Sequence, residues 1–218
     1  MIELNCIKKI LNEVEIEWKN LWEVTYWDKK FKAVESYKQP KIIKYKYLPA
    51  KEIEELIIDN GDIKILTTNI SDLWTTEEKV KDYIAKGEVV VIPGGGNPVI
   101  QYYKGKFVTS DNRIATSRDI YYLDNKYLYY FLSTQIKKIE SFYRGAGIKH
   151  PDMSQILDLK IPIPPIKVQK EIVYILDTIA KLTTKLATKL TLELTEREKQ
   201  FKYYRNNLFT LIKNSKKE

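Results

Sequence analysis

The rhythm of apolar positions changes once along this chain, at the run Ile161-Pro162-Ile163-Pro164-Pro165. Downstream, Ile172, Ile175, Ile179, Leu182, Leu186, Leu190, Leu194, Phe201, Tyr204, Leu208 and Leu211 recur in steps of three and four, the spacing of one face of an α-helix. Arg197 interrupts the series, and successive steps of four up to Leu194 rotate the seam around the helix. No glycine or proline falls between Val168 and Lys217. The pattern predicts a helix of about forty residues, about 60 Å long at 1.5 Å per residue. A stripe of that length exceeds what one small domain covers, so a partner helix is expected. An antiparallel copy, a helix of another subunit, or the chain's own domain over part of the stripe would each serve.

Upstream, short β-rich runs alternate with turn signals. Strands are predicted at residues 63–67 after Asn60-Gly61-Asp62, 88–93 after Gly87, 98–103, 107–109 and 119–122, with a hairpin at 102–107 around Lys104-Gly105-Lys106. Helices are predicted at 1–13, 49–57, 76–86 and 126–141. Pro162, Pro164 and Pro165 forbid a continuous helix. They mark the boundary between an α+β globular domain, residues 1–165, and a long C-terminal coiled-coil helix, residues 166–218.

Composition narrows the chemistry. A chain of 218 residues with 44% hydrophobic content can bury a core. Its apolar runs, such as Val89 to Pro93, are too short to span a bilayer, and the start MIELNCIKKI breaks any signal-like core with charges; a cytoplasmic protein is expected. One cysteine, Cys6, and one histidine, His150, leave no set from which a zinc site is usually built. The net charge of +8 is uneven. Residues 166–218 hold 12 Lys and Arg against 6 Asp and Glu, and residues 101–150 hold 9 against 4. An acidic partner such as nucleic acid fits these zones, as does a solvated lysine-rich surface.

Four loops offer chemistry. Pro93-Gly94-Gly95-Gly96-Asn97-Pro98 is glycine-rich but lacks the lysine and hydroxyl of a phosphate-binding P-loop, so it is either a tight turn or a loop lying on DNA. Asn112, Arg113 and Arg118 suit base edges and phosphates and lie near Lys104 and Lys106. Thr68 and Asn69 follow an apolar strand, and Arg144 and Lys149 flank Gly145-Ala146-Gly147. Gly95, Asn97 and these residues form the candidate DNA-binding set. His150 lacks a nucleophile in recognisable context and reads as a surface or capping histidine. Most of the sixteen tyrosines fall in apolar patterns and read as core. A nuclease using carboxylates around Asp111 and Asp119 would need an acidic cluster that the sequence does not supply. No catalytic residue and no metal ligand is assigned.

The C-terminal text is more specific. Gly145-Ala146-Gly147-Ile148, then Ile161-Pro162-Ile163-Pro164-Pro165-Ile166-Lys167-Val168-Gln169, then Ile172 to Leu176 with Asp177, resembles the end of a target recognition domain and the start of the conserved helix in type I restriction-modification specificity subunits. Glu196 to Leu208, with Tyr203-Tyr204-Arg205, is similar to the end of that helix. These matches cover the last third of the chain. Trp18-Lys19-Asn20-Leu21 and residues 87–117 match loosely.

The resemblance implies a non-catalytic subunit that reads double-stranded DNA. Its helix would dock modification (methyltransferase) subunits and a restriction motor-nuclease subunit. S-adenosylmethionine, ATP and Mg would belong to those partners. The family's usual chain is about twice as long, with two recognition domains and two helices. A half-length form would pair as a homodimer through antiparallel helices on a bipartite target, or with a second, different specificity chain on an asymmetric one. The competing expectation is a coiled-coil adaptor whose head binds protein.

Overall fold

The computed structural model describes residues 14–214, so the helix predicted at 1–13 and Cys6 lie outside the described residues. The chain divides into two units, one ending at Val173 and one beginning at Tyr174. In order, the elements are β1 (Glu17–Asn20), α1 (Leu21–Val24), β2 (Thr25–Trp27), α2 (Ile53–Leu56), β3 (Ile63–Leu66), β4 (Trp74–Thr75), α3 (Glu77–Val80), β5 (Ala85–Pro93), β6 (Gln101–Thr109), β7 (Asn112–Ser117), α4 (Asn125–Thr134), α5 (Ile136–Glu140), β8 (Tyr143–Arg144), β9 (His150–Pro151), α6 (Met153–Leu157), β10 (Lys160–Ile163) and α7 (Ile166–Asn214). This is the expected α+β class with a long C-terminal helix.

A six-stranded sheet in the order β2-β7-β5-β6-β3-β4 organises the first unit, and β3 with β6 is its parallel pair. The Val89-Val90-Val91-Ile92 run of β5 is buried on both faces, as a β-branched central strand should be. Val90 and Ile92 face a core filled by Tyr127, Leu128, Leu132, Ile139, Ile156 and Leu157 from α4, α5 and α6. Val89 and Val91 face a second cluster with Leu66, Phe107 and Ile114.

The strand expectations for 98–103 and 107–109 merge into one, and residues 102–107 are not a hairpin. They form the middle of β6, which pairs with β5 from Ala85↔Phe107 to Val91↔Gln101, so the turn is the glycine loop at 94–100. A straight nine-residue strand would separate its ends by about 26 Å. Yet the Gln101 amide donates to the Thr67 carbonyl at 2.9 Å while Thr109 pairs with the adjacent Leu66. The β5–β6 ribbon therefore folds back on itself. Gly105, opposite Gly87 in the register, takes φ +150 there, a conformation and a close approach that suit glycine.

Three other expectations change. Residues 119–122 form a turn rather than a strand, because the Ser117 hydroxyl and the Asp119 carboxylate bond the local backbone. The helix predicted at 76–86 is the single turn α3, since Ala85 and Lys86 already belong to β5. The helix at 126–141 breaks at Gln135 into α4 and α5, where the Ser133 and Thr134 hydroxyls bond back to the carbonyls of Tyr129 and Phe131.

The proline run becomes β10, paired with β1, with Ile161 and Ile163 buried and Pro162 opposite Trp18. Gln169, one turn into α7, is fully buried. Its amide nitrogen donates to the Tyr122 and Pro164 carbonyls, each at 2.8 Å, and its oxygen accepts the Asp124 N–H at 2.9 Å. One side chain thus ties the strand exit, the 119–124 turn and the start of α4 together. The 49 residues of α7 are uninterrupted, about 73 Å of helix. Ile172 packs with Val173 against the first core, and Ile175 is partly covered. Ile179, Leu182, Leu186, Leu190, Leu194, Phe201, Tyr204 and Leu208 are all exposed. Among the described residues, no helix is long and apolar enough to cross a membrane.

Candidate nucleic-acid interface

The glycine loop is held by two other segments. Gly94 N–H donates to the Asp111 carbonyl at 2.8 Å, and Gly96 N–H donates to the Lys149 carbonyl at 2.9 Å. The Tyr143 hydroxyl, whose pKa burial pushes up, donates to the Pro93 carbonyl at 2.8 Å. Loops that the sequence offered separately, 94–98, 110–113 and 143–149, are therefore one surface.

Beside it is an open cleft of about 490 Å³ lined by Lys29, Lys30, Lys32, Arg113, Arg144 and His150, among others. The lysines lie just past β2. Gln39, buried, fixes their backbone by accepting the Phe31 N–H at 2.8 Å and donating to the Phe31 and Val34 carbonyls at 3.2 Å. The Phe31 ring meets Trp27 edge-on at 6.0 Å, anchoring the loop to the core.

Beneath the lysines, Asp28 is buried and accepts the Ile114 N–H at 2.9 Å and the Tyr47 hydroxyl. Burial raises its carboxyl above the usual range, although Lys29 stands 3.5 Å away. Arg113, mostly buried, pairs with Asp111 at 3.0 Å. Arg144 lies 3.8 Å from Asp152. Asp152 caps α6, and bonds from Gln155 and Ser154 hold its carboxyl below the usual range. Ammonium and guanidinium groups here are donors, so the cleft suits an anionic ligand rich in acceptors, such as a phosphate backbone.

The remaining predicted residues lie elsewhere. Thr68 and exposed Asn69 sit on the turn after β3, reached from β6 through Gln101. Gly95 and exposed Asn97 are in the glycine loop, and Lys149 is exposed on the β8–β9 turn. Lys104 and Lys106 are paired with Glu88 and Glu77 on the folded ribbon, at 3.1 and 2.8 Å, and do not line the cleft. Asn112 is fully buried, donating to the Leu66 carbonyl at 2.8 Å, so its side chain braces the loop instead of facing a ligand. Arg118 is spent on the Thr25 and Trp22 carbonyls and stacks over Tyr26, which makes it a brace of the β2 edge. Lys29, Lys30 and Lys32 escaped the charge count because acidic residues elsewhere in the first 165 offset them; the short run Lys29-Lys30-Phe31-Lys32 was the available signal. Among the described residues, no group of three His, Cys, Asp or Glu could hold a metal ion.

The family model for the type I restriction modification DNA specificity domain matches residues 34–196. The chain belongs to that family. A putative type I restriction enzyme specificity subunit of Haemophilus influenzae is 29% identical over 214 residues, covering 94% of this chain and 49% of that protein. A type I restriction enzyme specificity subunit of Escherichia coli is 30% identical over 223 residues, covering 96% and 48%. This specificity-family chain spans about half the length of the curated relatives it matches. The crystal structure of the type I system S subunit from M. genitalium shares its fold, with a TM-score of 0.58 at 19% identity over 81% of this chain and 42% of that one. The HsdS subunit of Thermoanaerobacter tengcongensis gives 0.50 at 14% identity over 84% and 44%.

Proposed function

We propose that this chain is the sequence-specific DNA-binding specificity subunit of a type I restriction-modification complex, without a catalytic residue of its own. The observation that carries the proposal is the cationic cleft built from residues 29–32, 113 and 144 against the glycine loop, in a chain of the specificity family. Lysine and arginine contacts to phosphate would position double-stranded DNA, and the exposed loop residues would choose the sequence. Modification subunits would supply S-adenosylmethionine-dependent adenine methylation, and a motor-nuclease subunit ATP- and Mg-dependent cleavage, all in the cytoplasm. The exposed stripe of α7 supports pairing with another helix. In the proposed arrangement two copies join through antiparallel helices as a homodimer, and helix length sets the gap between the halves of a bipartite target.

Co-expression with a cognate modification subunit in a methylation-free host, followed by single-molecule mapping of the methylated genome, tests this. A split palindromic motif is expected. An asymmetric motif would instead imply a second specificity chain. No methylation by a demonstrably assembled, active modification subunit would favour the protein-binding adaptor.

A further inference from the structure

The ring of His150 rests on the glycine loop in a way that fixes which nitrogen meets the loop backbone. Nδ1 stands 2.7 Å from the Gly94 carbonyl oxygen. A carbonyl only accepts, so Nδ1 carries the proton, and in the Nδ1–H tautomer Nε2 is the ring's acceptor. Gly95 is the seat: a Cβ there would lie 3.1 Å from His150 Nδ1 and Cε1 and 3.0 Å from Ile148 Cγ2. His150 is exposed and stands opposite Arg144 in the β8–β9 register.

The cations around it, Lys29, Lys30, Lys32, Arg113 and Arg144, are donors, and the carboxylates beside them are engaged. Asp111 pairs with Arg113, and Asp152 caps α6 and faces Arg144. Nε2 is thus the acceptor that this contact leaves over, on an exposed ring in a donor-rich cleft. Phosphate oxygens accept and cannot satisfy it, whereas the exocyclic amino groups of adenine N6 and cytosine N4 donate in the major groove. We propose that His150 is a specificity-determining residue that accepts a hydrogen bond from such an amino group. This rests on the DNA-binding function proposed above.

The test selects the full chain, assembled with its modification subunit, against a randomised double-stranded DNA library, comparing wild type with His150→Phe and Gly95→Ala. His150→Phe is expected to lose about fivefold preference at one base pair, the order of a single neutral hydrogen bond, with an unchanged salt dependence. Gly95→Ala, whose methyl presses on the ring, should weaken preference at the same position, and the wild-type base there tells adenine from cytosine. Thermal melts establish that both variants fold. If the wild type selects a motif and His150→Phe selects it equally well, the inference is overturned while the DNA-binding function stands. Uniform weakening with a salt slope lower by about one would also overturn it, assigning a charged phosphate contact. A wild type that selects no sequence would sink both.

Discussion

Replacing Gln169 by leucine should cost the globular unit about 3 kcal/mol. The side chain is fully buried and makes three hydrogen bonds, to Tyr122, Pro164 and Asp124. Leucine fills nearly the same volume, so little cavity is left, and the loss falls on the two carbonyls and one N–H deprived of this partner. A buried group left unpaired costs about 1 to 3 kcal/mol, with the part-buried Tyr122 and Asp124 groups toward the low end and Pro164 toward the high end; the better transfer of leucine offsets roughly 1 to 2 kcal/mol of the total. For a unit of this size each kcal/mol lowers the melting temperature by about 2 to 4 °C, so a drop of roughly 6 to 12 °C is expected by circular dichroism or calorimetry. Gln169→Glu should be worse, since a carboxylate would face the Tyr122 and Pro164 carbonyls. A leucine variant melting within about 2 °C of wild type would refute the clamp and leave the glutamine unexplained by stability.

Alanine at Lys29, Lys30 and Lys32 together is expected to weaken DNA binding on every sequence and to lower the slope of log K against log salt by up to about 2.7, roughly 0.9 per phosphate contact; an unchanged slope in a salt titration would put the DNA elsewhere. Arg113→Ala should cost about 1 to 3 kcal/mol of discrimination at one base pair, provided the guanidinium leaves Asp111 to grip guanine. Equal weakening across a panel of sequences would reduce it to a phosphate contact. Ile179→Glu with Leu182→Glu should break self-association in analytical ultracentrifugation, and an unchanged mass would remove the seam. Asp28 has a folded pKa above its ordinary 3.8, so the folded state binds the proton more tightly. Its contribution to stability therefore falls as pH rises from 3.8 through the raised value. Asp28→Asn should flatten melting temperature against pH in that window; a curve parallel to wild type would refute the assignment.

The long helix was legible because it depends on local spacing: an unbroken run with apolar residues every three or four positions specifies α7 whatever surrounds it. The central strand was legible for a similar reason, since Val89 to Ile92 can only be buried. The errors fell where residues far apart decide the local form. Lys104-Gly105-Lys106 carries turn chemistry, yet its partners on β5 keep it in a strand. Asp119 to Tyr122 has strand-like residues, yet Ser117 and Asp119 close it into a turn.

By itself, then, the sequence determined the α+β class, the proline-marked change of pattern, the helix and, through the Ile161 to Gln169 text, the family. Tertiary structure decided which polar residues share a surface. Arg113 lies on β7 and Arg118 just past its end, five residues on, but one lines the cleft and the other braces the sheet edge. Asn112 faces inward and His150 outward. Lys29 and Arg144 are brought to one cleft from positions 115 residues apart. Charge and residue type are properties of the chain, but exposure, pairing and proximity arise only when strands from distant segments hydrogen-bond in register, and the ligand-facing chemistry depends on those.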